Sequence, residues 1–434
     1  MQKLTKTYTL GLQHVLAMYT GAVIVPLIVG KALKLTPEQL AYLIAIDLLG
    51  CGIATVLQVW KNRFFGTGLP VVLGCAFQAV APMIAIGNQY GITAIYGAII
   101  ASGLFVIIFS GLFGKMLRVF APVVTGSVVT IIGLTLIPVA IYDMGGGKGS
   151  PDFGHPQNLL LSFGVLLFII LMNCFTTGFL RSISVLFGII LGTVVAALMG
   201  KVDFKPVLEA SWFHMVKPLY FGVPTFNLSA ILTMILVAMV SIVESTGVFL
   251  ALEKICDRKL TEEDLARGYR AEGLAVLVGG FFNSFPYTTY SQNVGLVQLT
   301  KVKTRNVILA MASILIVLSF IPKVAALTTL IPTAVLGGAM IAMFGMVVAS
   351  GIRMLGSVDL NRHENLLIVA CSVGVGLGVT IAPDLFKQLP QSLHLFTENG
   401  IIAGSITAIT LHLLLNVGRS KTSQVSSSTV QETI

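Results

Sequence analysis

The chain has 434 residues, of which 56% are hydrophobic and only 10% are charged. Soluble domains carry about a quarter charged residues, so this composition excludes a soluble protein, which would lack the polar sequence to cover its core. The formal net charge is +9. The Lys and Arg residues sit in short loops between apolar runs, with no basic patch and no interleaved aromatics, which excludes a nucleic-acid-binding surface. The sequence therefore predicts an integral membrane protein.

Apolar runs of spanning length predict about fourteen membrane segments, at roughly 20 residues per crossing. The third segment, Leu69–Gly87, contains two prolines, and the tenth, Pro286–Lys301, is short and polar. The basic N-terminal stretch leads directly into the first run and has no cleavage site, so we expect a retained first helix. In chain order, the centres lie near Tyr19, Gly50, Cys75, Gly103, Ile131, Leu167, Leu191, Leu236, Ala275, Gly295, Ile314, Ile341, Val373 and Ala408.

The distribution of basic residues predicts the orientation. If both termini are cytoplasmic, most of the 27 Lys and Arg residues fall in cytoplasmic loops. Positive charge in short loops marks the cytoplasmic side, and one miscounted segment would blur the bias downstream. We therefore predict a multi-pass protein of the cytoplasmic membrane with an even number of crossings.

The two halves of the chain carry related interrupted segments. Pro70 precedes Phe77 by seven residues in segment three, and Pro286 precedes Asn293 by seven in segment ten. Chance recurrence of proline in membrane helices is the alternative. Seven segments per half would invert the second half, and paired interrupted segments in inverted repeats indicate the substrate site. The predicted repeats are residues 1–200, with segments 1–7, and residues 201–434, with segments 8–14.

Each interrupted segment predicts a short strand followed by a half-helix. Val71–Phe77 and Tyr287–Gln292 follow prolines and are rich in β-branched and aromatic residues. Non-helical backbone is tolerated at membrane depth only where protein or a cavity satisfies it. We expect the two strands to pair with each other, which leaves free N–H groups at the half-helix starts for a ligand.

Three acids fall inside predicted segments, where an ionisable group is expensive and is by default a candidate functional residue. Glu244 is a lone acid in a strongly apolar run, and we assign it a functional role. Glu272 has two open interpretations, a functional acid or an interfacial ion pair with the nearby Arg270. Asp47 is predicted to be structural, with Ser or Thr partners or water.

Polar pairs mark two further segments. Gln13 and His14 lie in segment one, where the histidine is either a hydrogen-bonded packing residue or part of a proton relay. Gln292 and Asn293 follow the second predicted strand. Capping of the helix start by Asn293 and substrate binding by Gln292 are compatible roles.

Catalytic and metal-binding motifs are missing from the sequence. There is no HExxH, GxSxG or Walker pattern, so we predict that the protein is not an enzyme. No pair of cysteines has metal-ligand spacing, and an odd number fits no disulfide framework. We therefore predict no metal site. The cysteines are interpreted as small packing residues; they are Cys51, Cys75, Cys174, Cys256 and Cys371.

The stretch QNVGLVQLTK resembles the signature of the nucleobase–ascorbate transporter family, also called nucleobase:cation symporters. That signature is an acid or amide, then Asn-x-Gly, four variable residues, then Thr and usually a basic residue. The family's Gln-His pair in segment one and its glutamate in segment eight are also present, and the aspartate usual in segment nine is a glutamate here. Over its whole length, the sequence looks most similar to the bacterial xanthine permeases of this family. The matching residues are Gln13, His14, Glu244, Gln292, Asn293, Gly295, Thr300 and Lys301, and the residue that departs from the pattern is Glu272.

The resemblance implies an all-α, fourteen-segment membrane protein built as a seven-plus-seven inverted repeat. Segments 1–4 and 8–11 would form a core domain, and segments 5–7 and 12–14 a gate domain through which two copies form a homodimer. The substrate would lie between short antiparallel strands in segments 3 and 10. Glu244 and Gln292 would bind it by side chain, and Phe77 and Ser291 by backbone. The polar residue that several purine carriers have before Phe77 is Ala76 in this sequence.

The resemblance also implies the cargo. Uracil carriers of the family have Glu at the position of Gln292, whereas xanthine and urate carriers have Gln. Glu244 suits ring N–H donors, and the Gln292 amide can pair with the carbonyl and N–H of an oxidised purine. We predict proton-coupled uptake of xanthine by alternating access in the bacterial cytoplasmic membrane. The proton is the coupling ion and no cofactor is expected.

Alternatives to this prediction remain open at this stage. A uric acid or other oxidised-purine permease is the nearest one, and a carrier of inorganic anions with the same fold is more distant. Glu272 and His14 are candidates for coupling, and Asn293 and Gln13 for coupling or local architecture. An ion channel would show no saturable purine uptake.

Overall fold

A computed structural model describes residues 2–115, 121–386, 388 and 399–417. Helices dominate, and two three-residue strands interrupt them. The first half contains α1 (Gln2–Ala32), α2 (Pro37–Val59), β1 (Leu73–Cys75), α3 (Val80–Tyr90), α4 (Ile92–Lys115), α5 (Pro122–Met144), α6 (Pro156–Phe175), α7 (Gly178–Ser182), α8 (Ser184–Leu198) and α9 (Lys205–Glu209). The second half contains α10 (Leu228–Cys256), α11 (Glu262–Phe281), β2 (Tyr287–Thr289), α12 (Ser291–Thr300), α13 (Arg305–Ser319), α14 (Pro322–Thr329), α15 (Thr333–Leu355), α16 (His363–Ile381) and α17 (Gly400–His412).

Local sequence fixes where several helices begin. Thr36 forms a capping box with Gln39 at the start of α2, and Thr261 forms one with Asp264 at the start of α11. The Asn227 side chain accepts the Ala230 N–H at the start of α10. Each cap satisfies N–H groups that have no partner within the helix, and stabilises that helix by about 1 kcal/mol.

Eight helices within the described part of the chain are long and apolar enough to cross a membrane. The count becomes nine if α13 and α14, which meet at 83°, form one broken span. Helix α8 is an apolar helix below spanning length, and α3 and α12 have only 11 and 10 residues. The multi-spanning architecture is thus confirmed, whereas the count of fourteen segments stays a prediction.

The helices pack as two sets joined by α10. The first helix set consists of α1–α4 and α10–α14, in which α4 packs on α11 and α2 on α13. The second helix set consists of α5–α8 and α15–α17, in which α5 and α15 form the most extensive contact of the molecule. Helix α10 contacts α4 in the first set and α5 in the second. The division into core and gate domains that move relative to each other stays a prediction.

The two strands pair with each other, as the sequence predicted. They are antiparallel, with Gly74 opposite Thr288 at the centre of the register. Ala76 N donates to Pro286 O, and Tyr290 N donates to Val72 O, both at 2.9 Å, which extends the pairing past both strand ends. The Thr55 hydroxyl of α2 contacts both the N–H and the carbonyl of Leu73. Protein partners therefore satisfy this buried non-helical backbone, as an apolar environment requires.

Candidate functional site

Two half-helices start at the ends of the paired strands. After β1, a 3₁₀ turn over Phe77–Ala79 leads into α3, and after β2 the chain enters α12 directly at Ser291. Ala76 and Tyr290 occupy the cap positions, and neither start carries a side-chain cap. Since first-turn N–H groups lack partners within a helix, both starts can donate hydrogen bonds to a ligand.

Glu244 lies behind this junction and is 9% exposed. Its Oε2 accepts hydrogen bonds from Gln78 Nε2 at 3.1 Å and from the Thr288 hydroxyl at 3.3 Å. Gln78 Nε2 also donates to Ser241 Oγ at 2.7 Å. Both lone pairs of Oε2 are therefore used, since a carboxylate oxygen accepts about two hydrogen bonds. Among the described residues, Glu244 Oε1 has no hydrogen-bond partner, so it is the oxygen that can accept from a ligand.

Glu272 is connected to Glu244 through hydroxyl groups. Ser245 Oγ donates to Glu272 Oε1 at 2.5 Å and lies 3.3 Å from Thr288 Oγ1, which in turn contacts Glu244. Arg270 instead pairs with Glu263 at 2.8 Å, so the ion-pair interpretation of Glu272 is wrong. Within the part of the chain that the structure describes, Glu272 Oε2 is buried without a partner.

His14 pairs with Asn293 rather than with an acid. Asn293 Nδ2 lies 3.2 Å from His14 Nδ1 and donates to the His14 carbonyl at 3.3 Å. Asn293 therefore does not cap α12 but ties α12 to α1. Gln13 is half-buried beside His14, and the described residues give its side chain no hydrogen bond. The prediction that Asn293 caps α12 is therefore wrong, and its role in coupling or site architecture stays a prediction.

A cavity of about 510 Å³ opens at the start of α12. Ser291 and Gln292 line it, together with a face of α10 that begins at Val248. Glu244 and Phe77 are not among its lining residues. Because Val248 follows Glu244 by one helical turn on the same face of α10, the cavity ends next to the Glu244 cluster. The two basic residues of its wall are Arg181 and Arg353.

Three aromatic rings pack together beside the cavity. Tyr290 lines the cavity and stacks on Phe77, with ring centroids 5.9 Å apart and planes at 14°. Phe344 of the second helix set meets Phe77 edge-on at 5.8 Å. Such ring pairs are each worth about 0.5–1.5 kcal/mol beyond their burial. The three rings therefore form a contact between the two helix sets next to the cavity.

Several residues of this site were missed by sequence reasoning. Gln78 directly follows Phe77 and is 1% exposed, and Ser245 and Thr288 link the two acids. Their signal was an amide or hydroxyl in an apolar segment, which is common in membrane helices. Only the packing of α10 against the strands brings these groups together.

Asp47 has the serine partner that was predicted, and two further partners that were not. Ser284 Oγ donates to Asp47 Oδ1 at 3.3 Å, whereas Cys75 and Cys51 donate to Oδ2 at 2.7 and 3.5 Å. Cys51 and Cys75 are therefore hydrogen-bond donors as well as packing residues. The ligand atoms of Asp47 and the two thiols lie within 4.8 Å of one another, a grouping that sequence spacing did not predict.

Comparison with known proteins places the chain in a family. A family model described as "Permease family" matches residues 5–385. The nucleobase transporter PlUacP of Paenibacillus larvae is 68% identical, over 96% of this chain and 96% of its own. The chain belongs to the nucleobase–ascorbate transporter family. Like its named relatives in the nucleobase–ascorbate transporter family, it is a transporter and not an enzyme.

Other relatives within the nucleobase–ascorbate transporters differ in the purine they are named for. The xanthine permease of Bacillus subtilis is 61% identical over 95% of this chain and 94% of its own. The uric acid permease PucK of the same organism is 60% identical over 93% and 94%. Among solved structures, the transmembrane domain of the cyanobacterial bicarbonate transporter BicA matches with a TM-score of 0.58 at 16% identity, covering 94% of this chain and 97% of that one. That likeness shows the fold alone.

Proposed function

We propose that this transporter takes up xanthine together with protons across the bacterial cytoplasmic membrane by alternating access. The observation that carries the proposal is the position of Glu244, which is buried at the strand junction. Its Oε2 is held by hydrogen bonds, and its Oε1 has no partner among the described residues. A buried acid that presents a free acceptor beside a cavity suits a ligand with ring N–H donors.

The second recognition group of the proposal is Gln292. It lines the cavity at the start of α12, directly after the uncapped helix start at Ser291. An amide both donates and accepts, so Gln292 suits the carbonyl and N–H pair on the edge of an oxidised purine. Phe77 would supply backbone at the opposite half-helix start, while its ring stacks on Tyr290.

Proton coupling is proposed to use the hydroxyl chain between the two acids. Glu244, Thr288, Ser245 and Glu272 follow one another at hydrogen-bond distance. A proton that moves along this chain would change the charge of the group that holds the purine. Substrate binding and proton binding would then be coupled.

The domain organisation is part of the same proposal. Fourteen segments in two inverted repeats, residues 1–200 and 201–434, would form a core domain from segments 1–4 and 8–11. Segments 5–7 and 12–14 would form the gate domain, with two copies associating through it and both termini in the cytoplasm. Cross-linking in native membranes tests the homodimer, and reporter fusions at each terminus test the orientation.

Uptake of radiolabelled xanthine into permease-deficient cells tests the function. We expect saturable accumulation that collapses when the proton gradient is removed at constant sodium concentration. Glu244→Gln should abolish accumulation, because an amide cannot exchange the coupling proton. Uphill uptake that survives in this variant would exclude Glu244 as the coupling group. Competition by sulfate alone would favour an inorganic anion carrier.

Uric acid is the second candidate cargo, favoured by the 60% identity to a uric acid permease. Urate and xanthine share two ring carbonyls and the N–H groups beside them, so Gln292 could bind a carbonyl and N–H pair and Glu244 a ring N–H of either purine. Direct uptake of each labelled purine, and competition between them, separates the two. If urate is taken up and xanthine hardly at all, urate and not xanthine is the primary cargo.

A further inference from the structure

Gln78 is a tightly constrained polar side chain beside the candidate site. It is 1% exposed, and its Nε2 donates to both Ser241 Oγ and Glu244 Oε2. A carboxylate oxygen only accepts hydrogen bonds, so the amide nitrogen of Gln78 must face Glu244. The amide is therefore fixed in one orientation, with its nitrogen, and not its oxygen, toward Glu244 Oε2.

The oxygen of this amide is an unused acceptor. Gln78 Oε1 is fully buried and, among the residues that the structure describes, has no hydrogen-bond partner. A buried orphan acceptor is costly and requires an explanation. Glu244 Oε1 is likewise without a partner. One 3.1 Å hydrogen bond joins Gln78 Nε2 to Glu244 Oε2, so each of these two linked side chains retains one acceptor oxygen that the described residues leave unused.

The location of this acceptor pair suits a ligand. Gln78 lies in the 3₁₀ turn at the start of the first half-helix, next to Phe77. Glu244 lies one turn before the first α10 residue of the cavity wall. Ala76, the preceding position, offers no polar side chain. Gln78 is therefore the residue of the first half-helix start that can read a base edge by side chain.

We propose that Gln78 is a specificity-determining residue, whose Oε1 accepts a ring N–H of the purine next to the N–H that Glu244 Oε1 accepts. This inference rests on the proposed purine transport. Two adjacent acceptors select a heterocycle with two N–H donors on one edge. An N-methyl group at either position removes the donor and also meets the acceptor sterically.

Purine binding and uptake by Gln78→Met test the inference. Methionine preserves the length of the side chain and removes both amide groups. We expect the KM for the preferred purine to rise about tenfold, the effect of one lost hydrogen bond to a buried acceptor, with Vmax changed much less. In addition, one N-methylated xanthine that the wild type excludes should compete in Gln78→Met.

Gln58→Met is the matched control. Gln58 is a fully buried glutamine in the last turn of α2, and both of its side-chain amide atoms lack partners among the described residues. It contacts the Gly268 region rather than Glu244. We expect wild-type KM and wild-type exclusion of methylated xanthines in this variant. Gln78→Glu keeps the shape and one acceptor oxygen, and should restore the wild-type ranking of purines when that carboxyl is protonated.

The possible results distinguish a failure of the role proposed for Gln78 from a failure of the proposed purine transport. Wild-type ranking and KM in Gln78→Met would overturn the role of Gln78 while purine transport stands. A uniform loss for every purine, with the ranking unchanged, would also overturn it and reduce Gln78 to a support for Glu244. If Gln78→Met fails to reach the membrane, Gln78→Asn decides the question, because the shorter side chain keeps the amide but withdraws the acceptor; a wild-type ranking and KM in that variant would overturn the role of Gln78. Absence of purine binding and uptake in the wild type would reject both proposals together.

Discussion

At the residue scale, Ser245 is the hydroxyl on which both acids depend. It donates to Glu272 at 2.5 Å, lies 3.3 Å from Thr288, and accepts from the Thr289 hydroxyl at 3.2 Å. Ser245→Ala removes the 2.5 Å hydrogen bond to Glu272 Oε1. We expect purine accumulation to fall about tenfold, since a hydrogen bond to a charged group is worth about 1.5–3 kcal/mol. Initial-rate uptake with and without a proton gradient measures the effect.

Two companion variants make the Ser245 result specific. Ser245→Thr keeps the hydroxyl and should retain most of the accumulation. Ser405 of α17 is also buried, and its hydroxyl has no partner among the described residues, so Ser405→Ala controls for the loss of a buried hydroxyl. Equal uptake by Ser245→Ala and Ser405→Ala would contradict the hydroxyl chain.

The sequence alone identified those candidate site residues whose type is rare in a membrane segment. Glu244 was visible because an acid is expensive in an apolar run. Gln78 and Thr288 were not visible, because amides and hydroxyls are ordinary in membrane helices. Their role depends on contacts with α10, more than 40 positions away along the chain. The hydrogen-bond partners of a buried acid can lie far away along the chain, and a single sequence does not show which residues they are.

At the element scale, Gly74 allows β1 to pass close to the Tyr290 ring. A Cβ at Gly74 would lie 2.5 Å from the ring atom Cζ, so Gly74→Ala must displace the ring. Overpacking of this kind costs about 1–3 kcal/mol. Because Tyr290 lines the cavity and stacks on Phe77, we expect Gly74→Ala to lower the melting temperature and to abolish purine uptake.

The control for Gly74→Ala is a glycine with open space around it. A Cβ at Gly111 in α4 would meet nothing within 4 Å, so Gly111→Ala should keep uptake and the melting temperature. Melting of detergent-purified protein and uptake in cells are measured for both variants. Full uptake by Gly74→Ala would show that the Tyr290 ring need not stay in place.

Elements were predicted from sequence as far as local signals reach. Proline followed by β-branched and aromatic residues predicted strands in segments 3 and 10, and Leu73–Cys75 and Tyr287–Thr289 are paired as expected. The bend of 83° between α13 and α14 was not predicted. Apolar runs give no measure of tilt or breakage, because both depend on neighbouring helices. Segment counts from composition are therefore less certain than the strand pair.

At the scale of the whole molecule, the cavity and a polar contact lie at opposite ends of the two helix sets. Arg353, near the end of α15, lines the cavity. Thr333, the first residue of α15, accepts a hydrogen bond from Lys31 Nζ at 3.1 Å. At 1.5 Å per residue, these ends of α15 are about 30 Å apart. The Lys31–Thr333 contact therefore joins the first helix set to the second on the face away from the cavity.

We expect the Lys31–Thr333 contact to hold the face away from the cavity closed. Lys31→Met removes the donor, and Thr333→Val removes the acceptor. Loss of a hydrogen bond worth about 1 kcal/mol should raise the open fraction about fivefold, which hydrogen exchange measures as faster exchange in the first turn of α15. Both variants should show this faster exchange, and the double variant should add little.

Lys34 is exposed on the same end of the molecule, so Lys34→Met controls for the lost charge. Unchanged exchange in Lys31→Met and Thr333→Val would show that apolar packing alone holds this face closed.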